Sequence, residues 1–344
     1  MQLKFDALID KKTWNLVPYS SDMSVIDNKW VFRVKHKPDG SIDRFKARLV
    51  AKGFQQTAGI DYFFTKLKQF LVSLEFKISV SDNSLFFKKV DGHLLVVLIY
   101  VDDILITGGN NVAIFDLIKI LGQRFALKTL GDVSYFLGLE VTRNSAGMVL
   151  TQIKYVTDLL NKTHMLNCNP CSTPLSTTHK LTLSDSAPFD QPTVYRSTIG
   201  ALQYLTITRS DISFDVNKLS QYLHAPTVNH WSACKHLLRY LKGTVHLGLA
   251  FYPAKRMVLE AYSDADWASD SDDRKSTGGH CVFLGGNLLT WSSRKQGVVS
   301  RSSAESEYRS LADTTTDLVW LHSLLKELGV SIESPSLLWC DNQC

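Results

Sequence analysis

Apolar and polar positions alternate in short runs along the first third of the chain, with turn-forming residues between them. Residues 29–37 and 44–52 read as two strands around Pro38-Asp39-Gly40, and residues 84–90 and 94–101 as two more around Asp91-Gly92. Residues 67–76 carry a helical period, as do residues 112–125 behind a cap at Asn110-Asn111. Residues 135–141 and 148–152 suit a hairpin around 144–147, and residues 166–196, rich in Ser, Thr and Pro, a linker or ordered loop. Residues 197–250 read as helical. Within them Trp231, Cys234, Leu238 and Leu241 share one face, and Lys235, Arg239 and Lys242 share another. The last stretch predicts three strands (259–263, 280–284, 288–291), one long helix (302–328) and a final strand (336–340). Ser302 and Glu305 have capping-box spacing, Leu311, Leu318, Leu321, Leu325 and Leu328 supply the apolar stripe, and Gly329 can close the helix.

Composition adds bounds. A chain of 344 residues suggests two or three domains, and 44% hydrophobic with 21% charged residues is ordinary for a globular protein. The net charge of +5 permits a polyanionic partner. Residues 1–62 are the most basic block, with eleven Lys or Arg against seven Asp and no Glu. The six cysteines are scattered, and the CxxC at Cys168 and Cys171 has no matching second pair, which argues against a disulfide scaffold and a zinc site. The N-terminus lacks the apolar core of a signal peptide, and the longest apolar run, 94–101, is too short to cross a bilayer. The expectation is a soluble intracellular protein, cytoplasmic or nuclear, with no membrane partner. No Walker loop, HExxH or GxSxG motif is present.

The stretch HLLVVLIYVDDILITGG (93–109) places two adjacent carboxylates, Asp102 and Asp103, inside a very apolar run. Ionised carboxylates are costly to bury unless compensated. Two β-rich runs separated by Asp102-Asp103 give a two-residue hairpin turn that lifts both carboxylates to the sheet's edge. A divalent cation such as Mg²⁺ would compensate them, and a solvated Asp-Asp turn fits the same pattern.

YVDD with its apolar flanks resembles the active-site hairpin of reverse transcriptases. KWVFRVKHKPDGSIDRFKARLVAKGFQQTAGIDY (29–62) resembles the fingers segment of copia-type retrotransposon polyproteins, and SDNSLFF (81–87) that family's palm. FLGLEV (136–141) is similar to its primer-gripping hairpin; YRSTIGALQYLTITRSDISFDVNKLS and HWSACKHLLRYLKGT are similar to its thumb and connection. YSDADWASDSDDRKSTGGHCVFLGG and SSAESEYRSLA resemble its ribonuclease H domain. The resemblance covers nearly the whole chain, in family order. It implies an α+β and α/β architecture: a right-hand polymerase remnant with fingers (1–62), palm (63–165) and linker plus helical thumb/connection (166–257), followed by a partial ribonuclease H-like domain (258–344).

Carried over residue by residue, the resemblance makes Asp102 and Asp103 the paired metal ligands of the palm. Lys46 and Arg48 lie in the fingers strand that approaches the incoming dNTP; a solvated basic strand face is the plain alternative. Lys235, Arg239 and Lys242 become phosphate contacts to duplex, or simply a solvated helix face. Asp264, Glu307 and Asp341 become the carboxylates of a two-metal Mg²⁺ site that hydrolyses the RNA strand of an RNA–DNA hybrid, or surface acids of an ordinary domain. Asp266 and Glu305 are neighbours without that role. The implied partners are an RNA template, an RNA–DNA hybrid, dNTPs and the other segments of the parent polyprotein.

Two departures bear on activity. The palm of the family carries a third aspartate between the GIDY segment and the next helix, whereas here Tyr62 runs straight into Phe63-Phe64-Thr65. Asp61 and Asp82 belong to other segments and do not replace it. The chain also stops at Cys344, before the family's fourth ribonuclease H carboxylate. The expectations are therefore a palm that cannot polymerise and a nuclease that is absent or very weak. A non-enzymatic nucleic-acid-binding remnant or a domesticated interaction protein are the alternatives.

Overall fold

The computed structural model describes residues 18, 28–36, 41–51, 62–101, 103–125, 127–176 and 181–341. The chain divides into two compact units between Thr129 and Leu130.

In the first unit, β1 (Asn28–His36) and β2 (Ile42–Ala51) form an antiparallel hairpin, in register from Asn28 opposite Ala51 to Lys35 opposite Arg44. The Pro38-Asp39-Gly40 turn expected between them lies outside the described residues. Helix α1 (Tyr62–Ser73) follows, then β3 (Lys77–Ile78), β4 (Leu85–Val90), β5 (His93–Tyr100), β6 (Asp103–Gly108) and helix α2 (Asn111–Arg124). The four strands make one antiparallel sheet in the order β3-β4-β5-β6. Asp91 and Gly92 turn the β4–β5 hairpin with φ of 51° and 80°, the left-handed pair that a two-residue turn requires. Alternation on β5 buries Leu95, Val97 and Ile99 with Phe86 of β4, against Leu67 and Leu71 of α1 and Leu117 and Leu121 of α2. Asn110 caps α2 by accepting from the backbone N–H groups of Val112 and Ala113.

The second unit begins with β7 (Tyr135–Phe136), β8 (Leu139–Asn144) and β9 (Gly147–Thr151). The single strand expected over 135–141 is broken, because Leu137 and Gly138 have φ of 47° and 76° and fold β7 back on β8. Glycine is needed at 138: a Cβ there would stand 2.8 Å from the Tyr204 hydroxyl, which donates to the Leu137 carbonyl. Helix α3 (Ile153–Lys162) follows β9 directly. After the 163–191 segment come α4 (Pro192–Leu205), a 3₁₀ turn at Ser210–Ile212, α5 (Ser213–Ser220) and α6 (Val228–Gly243). The helical reading of 197–250 fails at its end, where Leu249–Phe251 forms strand β10 beside β9. Val156, Leu160, Ile199, Leu202, Leu219, Leu237 and Leu241 build the helical core. The Ser/Thr/Pro-rich segment is tied into it: Leu181 is buried there, and the fully buried His230 accepts the Thr227 N–H at Nδ1 and meets the Thr182 carbonyl at Nε2.

The remainder is β11 (Leu259–Asp266), β12 (Thr277–Leu284), β13 (Asn287–Lys295), the long helix α7 (Ser303–Glu327) and β14 (Leu337–Trp339). The sheet order is β13-β12-β11-β14, antiparallel except for the parallel β11–β14 pair that α7 connects. Ser302 caps α7 through the Glu305 N–H, and Gly329 follows the helix with φ of 72°. Leu318, Leu321 and Leu325 pack against Leu259, Ala261 and Val282 of the sheet.

Candidate functional site

The two predicted carboxylate centres lie in different units, and each stands by itself. In the first unit, Tyr100 pairs with Asp103, so Asp103 is the first residue of β6 and Val101 lies in the connection before it. This corrects the sequence reading, which placed Asp103 in the turn. Asp103, Tyr100 and Val101 are exposed at this tip. Asp102 lies outside the described residues. Val101 has a φ of 56°, a region that β-branched residues rarely enter because Cβ crowds the carbonyl, so the tip is a strained position. Among the described residues, strand β6 is the edge of its sheet. Asp82 is occupied locally: its Oδ1 accepts from the Ser84 N–H at 2.9 Å and the Ser84 hydroxyl at 2.6 Å. Lys46 and Arg48 lie two residues apart on β2, opposite Arg33 and Val31.

In the second unit, three carboxylates predicted from positions far apart in sequence come together. Alternation on β11 sends Ala261, Ser263 and Ala265 inward toward α7 and leaves Asp264 and Asp266 exposed. The N-terminal half of α7 presents small buried side chains to that strand: Ser306, Ser310 and Thr314. Ser310 accepts the Ser263 hydroxyl at 2.9 Å and donates to the Asp264 carbonyl at 2.9 Å, which fixes helix to strand at close range. Glu307, one turn earlier, is thereby carried to the strand. Its Oε1 accepts the Ala265 N–H at 3.1 Å, and the Asp264 Oδ1 accepts that same N–H at 2.8 Å. Two carboxylates thus converge on one backbone donor.

The third carboxylate arrives through topology. Parallel pairing sets Trp339 opposite Tyr262, so the residues after β14 emerge beside Asp264. Glu307, Cys340 and Asp341 have ligand atoms all within 4.8 Å of one another, and the Cys340 thiol lies 3.7 Å from the Glu307 Oε2. Burial pushes the Glu307 carboxyl up from its ordinary range, and the nearby Asp264 and Asp341 carboxylates push it the same way. A cation at this point would relieve that repulsion. The oxygen donors of Asp264, Glu307 and Asp341 are the hard type that suits Mg²⁺ or Mn²⁺. Asp266 sits exposed at the end of β11, opposite Thr277. Glu305 is spent on the helix start, accepting from the Arg301 N–H and from Arg309.

On α6, Lys235 is exposed, Lys242 is half-buried, and the Arg239 Nε donates to the Asn169 carbonyl at 2.7 Å. The outward helix face is basic, but one of its three cations is tied to the 163–176 loop.

Sequence reasoning missed three buried charges. Arg209, 2% exposed, holds Asp211 through two nitrogens at 2.9 and 2.7 Å and also bonds the carbonyl and hydroxyl of Thr244. Burial pushes the Asp211 carboxyl up, and the Arg209 guanidinium overcomes that and holds it below its usual value. Asp270, 2% exposed, receives Lys218 from α5 and Lys295 from β13, each at 2.9 Å. Asp215, 5% exposed on α5, has its carboxyl pushed up to about 7, by burial first and by the Asp211 carboxylate in addition. The Arg209, Asp211 and Asp215 spacing in TRSDISFDV carried no local signal of these roles; Cys340 next to Asp341 was equally silent.

Comparison with known proteins follows from this geometry. Residues 11–64 and 62–177 match the family described as Reverse transcriptase (RNA-dependent DNA polymerase). The Retrovirus-related Pol polyprotein from transposon RE2 of Arabidopsis thaliana is 37% identical over 421 residues, covering 99% of this chain and 29% of the polyprotein. The Pol polyprotein from transposon TNT 1-94 of Nicotiana tabacum is 28% identical, covering 100% of this chain and 32% of its own length. An uncharacterized mitochondrial protein of Arabidopsis thaliana is 44% identical over 66% of this chain and 94% of that protein. The chain thus spans about a third or less of the polyproteins it matches. Alignment over 421 residues against a chain of 344 leaves at least 77 positions of the transposon RE2 polyprotein without a counterpart. No helix among the described residues is long and apolar enough to cross a membrane. With these relatives matched over nearly its full length, the chain belongs to the reverse transcriptase family of copia-type retrotransposon Pol polyproteins.

Proposed function

We propose that the chain is the reverse transcriptase and ribonuclease H segment of such a polyprotein, with a metal-dependent hybrid nuclease centre at Asp264, Glu307 and Asp341 and a palm that no longer polymerises. The observation that carries it is the shared Ala265 N–H, which holds the Asp264 and Glu307 carboxylates together. In this reading residues 1–62 are fingers, 63–165 palm, 166–257 linker and thumb/connection, and 258–344 a ribonuclease H-like domain.

Asp264, Glu307 and Asp341 would hold divalent cations; bound there, the metal supplies Lewis-acid activation of water and stabilises the leaving oxygen. The protein's own contribution is positioning. Ser310 locks α7 to β11, the Ala265 N–H orients two carboxylates, and the parallel β14 delivers the third. A cation bound there would offset the repulsion that the Asp264 and Asp341 carboxylates exert on Glu307.

The palm reading rests on the match with the family in two segments that meet at residues 62–64, where the third aspartate of the palm would be expected. Asp103 then has one partner, Asp102, where polymerisation needs three carboxylates. The substrates are an RNA template and an RNA–DNA hybrid, with Lys46 and Arg48 on the nucleotide side and Lys235, Arg239 and Lys242 on the duplex. Two assays on purified protein test this. End-labelled RNA in a hybrid is cleaved slowly with Mg²⁺, and Asp264→Asn abolishes it. Primer extension on an RNA template incorporates no dNTP. Extension that disappears in Asp103→Asn overturns the palm reading, and cleavage that survives Asp264→Asn overturns the nuclease reading.

A further inference from the structure

The sheet face turned away from α7 holds an open cavity of about 490 Å³ that reaches Asp264. Strand register places Tyr262, Cys281 and Trp291 side by side across its floor, with Asp264, Gly279 and Ser293 in the next row. Ser210, Ser213 and Phe214 close it from the helical side. We propose that this cavity receives one unpaired nucleobase of a nucleic-acid strand whose backbone lies at Asp264. The placement of that backbone rests on the reading of Asp264 as a metal ligand; the base pocket itself does not.

The walls are aromatic and held in place. The Trp291 indole N–H donates to the Ser213 hydroxyl at 3.1 Å, and Tyr262 meets Phe283 edge to face with centroids 6.0 Å apart. Tyr262 and Phe214 are each 48% exposed, so their surfaces are open to a ligand. Fixed aromatic faces of this kind are the platforms on which unstacked bases lie, and stacking accepts every base because each has a π-face. Ser210 and Ser293 line it with hydroxyls, which both donate and accept and so fit any base edge.

Charge selects the base over the phosphate. None of the fourteen lining residues is Lys or Arg, so the cavity offers no cation to a phosphate. His280 lines it, but its Nε2 is engaged by the Asp317 carboxylate at 2.9 Å. Asp264 at the end of the cavity repels an anion unless a cation lies between them. A neutral, flat, polar-edged group therefore fits inside, and a bridged phosphate fits at the mouth. Gly279 keeps the floor between Asp264 and Ser293 free of a side chain.

Fluorescence anisotropy in Mg²⁺ with hybrids whose RNA strand carries 2′-O-methyl groups, so that a cation can bridge Asp264 and phosphate while no cleavage interferes, tests the pocket. The probes are a labelled blunt RNA–DNA hybrid, the same hybrid with a short unpaired RNA extension, and one with an abasic extension. The base-bearing extension tightens binding by about tenfold, the size of one stacked base. Phe214→Ala and Tyr262→Ala lose that gain and Tyr262→Phe keeps it. In the unaltered protein, the base-bearing extension quenches tryptophan emission and the abasic one does not, which gives a readout free of folding effects. Equal binding of all three probes, or a gain that survives in the folded alanine variants, overturns the proposal. Extension preference without cleavage of the unmethylated hybrid in Mg²⁺ leaves the pocket standing and removes only the metal reading.

Discussion

Replacing Asp215 by Asn removes a charge that the fold holds at a cost. Asp215 is 5% exposed on α5, next to Val216 and Leu219 in the helical core, and its carboxyl is pushed up to about 7. Unfolded, it titrates near 3.8. The folded state therefore favours the protonated form. Its stabilising contribution is fully present below pH ~4, fades as pH rises toward 7 and is gone above that. A difference of roughly three pK units at about 1.4 kcal/mol each puts the penalty of the ionised side chain near ~4 kcal/mol at pH 8, an upper bound for a neutral isostere. Urea unfolding followed by tryptophan emission measures it. Asp215→Asn raises the midpoint at pH 8, by up to the equivalent of that figure, and by less than half as much at pH 5, where only the unfolded side chain is ionised. A variant that is destabilised equally at both pH values refutes the reasoning, because Asp215 would then be ionised and satisfied inside the fold.

Three further outcomes follow from the same structure. Arg209→Met removes the buried guanidinium that bonds Asp211 and leaves the Thr244 carbonyl without its donor; because Asp211 itself reaches solvent and keeps the Tyr240 hydroxyl, stability falls by about 1–3 kcal/mol in the same unfolding experiment. Gly138→Ala forces a Cβ into a φ of 76° and against the Tyr204 hydroxyl, lowering stability by roughly 1–3 kcal/mol; an unchanged midpoint contradicts the turn geometry. Lys235→Ala weakens hybrid binding across sequences and lowers the slope of log K against log salt by about 1, whereas a slope unmoved by the change makes the exposed α6 face a bystander.

How much of this was legible depended on whether the cause was local. Asp91-Gly92, Asn110 and Ser302 announced their turn and caps, because left-handed φ and helix-end N–H groups call for those residue types. Gly138 gives the same kind of signal, but the apolar residues around it favour one continuous strand. Helix α3 carried its own signal, since Ile153, Val156, Leu159 and Leu160 fall at helical spacing and three of them are buried, but it starts directly after a strand with no side-chain cap to mark its beginning. The position of Asp103 on β6 depended on Val101 accepting a left-handed turn, a choice that β-branched propensity argues against. The trio of Asp264, Glu307 and Asp341 could be named through family order, but not its physical basis. Small side chains at Ser306 and Ser310 let α7 approach β11, and only the fold reveals that. The bonds from Arg209 to Thr244 and from Asp270 to Lys218 and Lys295 span distant segments, and the burial of Asp215 depends on packing, none of which has a sequence period.

The central claim is that Asp264, Glu307 and Asp341 form one divalent-metal centre. Calorimetric titration of Mn²⁺ into the purified protein and into its folded Asp264→Asn/Glu307→Gln variant tests it most directly, with no dependence on turnover. The account predicts saturable binding to the unaltered protein that the double variant loses, while the Asp103→Asn variant retains it. Binding that is the same in both proteins, or none in the unaltered protein, contradicts it.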